Sequence, residues 1–189
     1  MNDKPKVLLD SPVVIAKNLS NVFKDKQQIM IDSCLEHRAG TDFNFTVKMT
    51  SLYQQLYNEF QKLILETFVN VTPLNDAWHN NPKCWAYLFD ESTSKYTDIG
   101  RWHNHIDSST INGVFYLKLA GDKENGIGFK SDNNNTTIMP EEFDMLIFSG
   151  DTMHIPLRPD DKSFRLSINL ECMCEESIKN LFKRENIKL

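Results

Sequence analysis

The sequence predicts a mainly β fold with supporting helices, a β-sandwich or jelly roll packed against N-terminal helices. Three observations carry that expectation. From residue 83 onward the chain breaks into short apolar runs such as "CWAYLF", "INGVFYLKL", "FDMLIFSG" and "FRLSINLECM", the texture of strands. Clusters such as "AGDKENG" and "SDNNNTT" separate them, as turns do. The first third instead carries apolar residues at helical spacing.

In chain order, a short lead strand is expected around Val13 to Ala16. Val22, Phe23, Ile29, Met30 and Cys34 then keep the spacing of one helix face. A second helix is marked by Ser51 with Gln54, a capping-box pair, and by the stripe Leu52, Leu56, Phe60, Leu63 and Ile64. Pro73 ends that region. Strands are expected at "CWAYLF", "RWHNHID", "INGVFYLKL", "GIGFK", "FDMLIFSG", "HIPLRP" and "FRLSINLECM", with "SDNNNTT" a solvated loop and "EESIKNLFKRENIKL" a closing helix. The 189 residues suit one domain: residues 1–82 mainly helical support, 83–174 the β-core and 175–189 the C-terminal helix. In "CWAYLF", Trp85, Tyr87 and Phe89 alternate and are expected in core packing, with the lining of a substrate groove as the alternative.

Composition narrows the function. A formal charge of −5 argues against a dedicated nucleic-acid binder, which presents a basic face. No apolar run is long enough to span a bilayer, and charges and Pro12 interrupt the N-terminus, so no signal-peptide core is seen. Cys34, Cys84, Cys172 and Cys174 form no C-x-x-C pair and read as buried, reduced thiols. A soluble, cytoplasmic protein is the expectation.

The stretch "RWHNHIDSST" sets His103, His105 and Asp107 at alternate positions, which an extended chain points to one face. His105 and Asp107 form an H-x-D pair, and His154, just after an apolar strand, is the best third ligand. Two imidazoles and one carboxylate on one side of a metal leave adjacent positions open, an arrangement suited to non-haem Fe(II). Downstream, Arg165 and Ser167 share a strand face. An Arg in an apolar strand needs an anionic partner; its fork fits a carboxylate, with the Ser167 hydroxyl assisting. An internal salt bridge is the alternative.

The order H-x-D, distal His, R-x-S resembles the Fe(II)- and 2-oxoglutarate-dependent dioxygenases over roughly residues 85–172. "MLIFSGDTMHIPLRPDDKSFRLSINL" is similar to that family's C-terminal signature, with Asn169 behind the R-x-S. "YTDIGRWHNHID" resembles the prolyl 4-hydroxylase branch, with a Tyr nine residues before the first ligand and an intervening Gly. The resemblance implies a double-stranded β-helix with Fe(II) on His105, Asp107 and His154. It implies 2-oxoglutarate on Arg165 and Ser167, with Tyr116 or Tyr96 as phenolic donors. With O2, such a hydroxylase converts 2-oxoglutarate to succinate and CO2 as it oxidises a substrate C–H bond.

Some relatives use H-x-H, and "HNH" allows that register here. The spacing from Tyr96 and the anionic charge of an Asp ligand favour His105 with Asp107, leaving His103 at the pocket rim. Trp102 and Asn104 are expected to face away from the metal. A peptidyl side chain such as proline is the favoured substrate; a free amino acid or a nucleotide would use the same residues. A cupin-like binding module without chemistry, and a zinc hydrolase, are the readings from other classes. The second leaves Arg165 without a task.

Overall fold

The computed structural model describes residues 4–74, 84–93, 100–105, 110–120, 125–131, 134–159 and 164–189. The described chain runs β1 (Lys6–Asp10), β2 (Val13–Asn18), α1 (Ser20–Phe23), a 3-10 turn, α2 (Gln27–Leu35), β3 (Asn44–Thr46) and α3 (Ser51–Thr67). There follow β4 (Cys84–Phe89), β5 (Thr110–Lys118), β6 (Ile127–Lys130), β7 (Asn135–Ile138), β8 (Asp144–Ser149), β9 (His154–Pro156), β10 (Arg165–Met173) and α4 (Ile178–Leu181). A seven-stranded sheet has the order β1-β2-β8-β5-β10-β4-β3, and a three-stranded sheet the order β7-β6-β9. Every strand pair is antiparallel.

Alternation divides the large sheet into two faces. Ala86, Leu88, Ile111, Phe115, Ile147, Leu166, Ile168 and Leu170 point to the helices, in one core with Tyr53, Leu56, Phe60, Leu63 and Ile64 of α3. Gly113 makes this packing close: a Cβ there would lie 2.6 Å from Phe60 Cε2. The Tyr53 hydroxyl donates to the Met30 carbonyl at 2.7 Å, tying α3 to α2. On the other face Val14, Val114, Tyr116, Leu146 and Phe148 meet Ile127, Phe129 and Ile138 of the small sheet. The result is mostly β, two facing sheets with two substantial helices behind one of them.

The structure corrects several expectations. Residues 1–82 supply β1 and β3 as well as the expected lead strand, which is β2, and all three lie in the large sheet. Ile29 is 61% exposed, and Ile31 takes its place in the core. No side-chain capping bond forms at α3, where Thr50 is the N-cap; Gln54 instead donates to Asn58. Part of "SDNNNTT" is not loop, because residues 135–137 lie in β7. The closing helix shrinks to a single turn plus a 3-10 turn. Its end is pulled extended to bridge Phe68 through Ile187, while Phe182 packs edge-on against the Phe68 ring. Tertiary burial overrides helix propensity there.

Cys34, Cys84, Cys172 and Cys174 are buried and free, as expected. Burial pushes Cys34 up to about 12 against a hydrogen bond with Tyr53 that lowers it, so this thiol is inert rather than nucleophilic. Among the described residues no helix is long and apolar enough to cross a membrane.

Candidate active site

Between the two sheets lies a cavity of about 240 Å³, lined by residues that include His103, His105, His154, Tyr116, Arg165 and Ser167. The histidines reach it from two segments. His154 opens β9 beside β6. His103 faces it across a single antiparallel bridge, exchanging backbone bonds with it at 2.9 and 3.0 Å. Residues paired in this way project to the same side of a sheet, and the two rings stand 4.3 Å apart. His105 follows two positions on, its N–H donating to the Gly150 carbonyl. Among the described residues, the segment 101–105 is therefore no regular strand but a single bridge that extends the small sheet.

The three imidazoles offer ligand atoms lying within 4.8 Å of one another. Their hydrogen bonds define which nitrogen is available. His103 Nδ1 bonds to the Arg101 carbonyl and His154 Nδ1 to the Thr152 carbonyl, each at 2.9 Å. His105 Nδ1 bonds to Glu171 Oε1 at 2.6 Å. A carbonyl or carboxylate oxygen only accepts, so each Nδ1 carries a proton, and in the neutral ring Nε2 is the nitrogen with the lone pair. Three lone pairs in one place suit a divalent transition metal. His154 is only 5% exposed, with the Phe148 and Phe129 rings against it. Burial, and then the neighbouring imidazoles His103 and His105, carry its pKa down to about 3 against the pull of the Thr152 carbonyl. Neutral imidazole is the form a metal takes.

At the start of β10, Arg165 is 1% exposed. Its guanidinium carbon lies 5.5 Å from the centroids of both Phe89 and Tyr116, an aromatic clamp. Nη1 donates to the Leu157 and Gly126 carbonyls. Arg165 brings a positive charge to a cavity in whose lining, among the described residues, there is no carboxylate. Ser167 is buried beside it. The Tyr116 hydroxyl is buried and makes no well-formed hydrogen bond among the described residues. Burial raises its pKa to about 12, with Arg165 pulling the other way. It is a neutral donor waiting for an acceptor.

Of the residues expected from sequence, the structure gathers His105, His154, Arg165, Ser167 and Tyr116 around one cavity. Asp107 and Tyr96 lie outside the described residues. His103, an exposed residue, also lines the cavity, with its ligand nitrogen within 4.8 Å of those of His105 and His154. Trp85 and Tyr87 line the cavity together with Asn44 and Asn169, so the expectation of core packing for those two aromatics is corrected. Phe89 flanks Arg165. Glu171 was not foreseen. Its signal lay in the alternation Arg165, Ser167, Asn169, Glu171, which extends the polar face of β10 by one more residue.

No known protein family and no curated protein matches the sequence. Solved structures do match in fold. A non-haem α-ketoglutarate-dependent carbocyclase of nogalamycin biosynthesis is 11% identical, with 87% of this chain and 80% of that one covered, at a TM-score of 0.59. A 2OG-Fe(II) oxygenase-family oxidoreductase from Burkholderia pseudomallei is 7% identical, with 85% and 84% covered, at 0.58. A prolyl-4-hydroxylase from Pseudomonas putida is 12% identical, with 87% and 93% covered, at 0.54. At these identities the likeness is one of fold alone, a fold that this chain shares with those three proteins.

Proposed function

We propose that the chain is an Fe(II)- and 2-oxoglutarate-dependent oxygenase built on a double-stranded β-helix, with Nε2 of His103, His105 and His154 as its metal ligands. The observation that carries this reading is the convergence of three Nε2 lone pairs on a cavity that also contains a buried Arg. His103 takes the third position, which the sequence pattern alone assigned to Asp107. Bound there, iron, 2-oxoglutarate and O2 together would supply the oxidation of a substrate C–H bond, with succinate and CO2 as co-products.

The chain's own residues divide the remaining work. Arg165 binds the far carboxylate of 2-oxoglutarate through a charge-assisted bond, and the Ser167 and Tyr116 hydroxyls donate to the same group. Phe129 and Phe148 close off water behind His154, keeping the site dry. Asn44, Trp85, Tyr87 and Asn169 border the rest of the cavity and meet the substrate. A peptidyl side chain such as proline is the substrate class favoured by the "YTDIGRWHNHID" resemblance. The prolyl-4-hydroxylase among the structural neighbours supports the same class.

Anaerobic titration of the protein with Fe(II) and then 2-oxoglutarate tests the reading. The expected result is the weak visible charge-transfer band of an iron-bound 2-oxo acid. Its absence from metal-loaded protein overturns the co-substrate assignment. Succinate release with and without prolyl peptides then tests the substrate class.

A further inference from the structure

The three histidines are not oriented alike. His103 and His154 each give the Nδ1 proton to a backbone carbonyl two residues earlier, at Arg101 and Thr152. Those bonds are local and neutral. His105 gives its proton to a carboxylate, and that carboxylate comes from a strand 66 positions away. Both side chains are mostly covered, at 24% and 19% exposure, so water screens the contact only in part. Glu171 is in turn fixed at both ends of its residue. Its backbone is paired opposite Asn112 of β5, and its carbonyl accepts the Tyr57 hydroxyl of α3 at 3.2 Å.

We propose, on the metal-centre reading above, that Glu171 is a positioning residue that holds His105 in the Nδ1–H tautomer and supplies the negative charge the three imidazoles lack. His105 sits on the short segment that joins the small sheet by one bridge, so its backbone alone fixes the ring weakly. The Glu171 bond fixes the ring from the rigid side, the central sheet. It also makes Nε2 a stronger donor, because partial charge passes from carboxylate to imidazole, as it does where a carboxylate backs a metal-bound histidine. The centre would then be three neutral ligands with one carboxylate a hydrogen bond away. Charge that a directly bound Asp would bring arrives instead through His105.

The test compares wild type, Glu171→Ala and Glu171→Gln, all first shown by circular dichroism to be folded. Long-range proton–nitrogen NMR of the metal-free proteins reads the His105 tautomer. Anaerobic Co(II) titration reads affinity and the visible ligand-field spectrum. Glu171→Ala is expected to release His105 into mixed tautomers and to weaken Co(II) binding about 10–100-fold, with the saturated spectrum unchanged. Glu171→Gln keeps an acceptor oxygen without charge, so it should restore the tautomer and only part of the affinity. Unchanged tautomer and affinity in Glu171→Ala overturn the proposal. A changed ligand-field spectrum in Glu171→Ala at saturation overturns it differently, by making Glu171 a direct ligand. Failure of wild type to bind Co(II) at all overturns the metal-centre reading instead, whatever the tautomer shows.

Discussion

The two faces of β10 are made by one stretch of nine residues and do opposite things. Leu166, Ile168, Leu170 and Cys172 point to α3 and vanish into a continuous apolar core. Arg165, Ser167, Asn169 and Glu171 point the other way, the first three into the cavity and the last onto His105. β5 and β4 repeat the division, with Phe115 against Tyr116 and Leu88 against Tyr87. The helix face gains from every apolar atom it buries. On the cavity face the buried Tyr116 hydroxyl makes no well-formed hydrogen bond among the described residues, a cost in stability that is tolerated where a ligand supplies the missing partner. Stability and site chemistry are therefore separable by residue parity on the same strands.

Substitutions on each face should move one property and spare the other. The largest effect is expected from the ligand pair His103→Ala and Asp107→Ala. Loss of metal binding in the first, measured by isothermal titration, with retention in the second, supports a three-histidine centre; the reverse restores the H-x-D register. Next is Phe60→Ala, which empties the helix-face core and should cost about 3–5 kcal/mol in urea unfolding. Whatever protein stays folded should keep its metal affinity.

Arg165→Leu acts on the cavity face. It should weaken 2-oxoglutarate about 10–100-fold, as loss of a charged hydrogen bond implies, while Co(II) affinity stays unchanged. Equal loss of both would make Arg165 structural. The smallest effect belongs to neither face. Asp90, after β4, meets Arg38 Nη1 at 2.7 Å. Burial raises its pKa, but Arg38, Ser92 and the Thr93 N–H outweigh this and leave it below the usual carboxylate value. A depressed carboxylate stabilises the fold above its unfolded pKa, and that gain disappears as pH falls through the folded value. Asp90→Asn should therefore cost about 1 kcal/mol or less near pH ~6, and the difference in Tm from wild type should close toward pH ~3.

How much was legible follows the same division. β4, β5, β8 and β10 are runs of alternating or continuous apolar residues, and the sequence located them well. β1 and β3 went unread because they are edge strands, short and only partly buried, with little apolar pattern to find. The capping pair Ser51 and Gln54 was misread because Gln54 has a nearer partner in Asn58, one helical turn on. In the site, Arg165 and Ser167 were visible as polar residues out of place in an apolar strand. Glu171 was visible in the same way, but nothing local says that His105 receives it.

Sequence by itself determined the class of fold, the faces of the long strands, and the residue types able to hold a metal and an anion. Those follow from local periodicity and from the chemistry of each side chain. Tertiary structure decided which of them meet. The His103–His154 bridge, the Glu171 bond to His105 and the closing of Arg165 between Phe89 and Tyr116 join residues far apart in the chain. Periodicity fixes the direction of a side chain within its own element; only the packing of one element on another fixes what it faces.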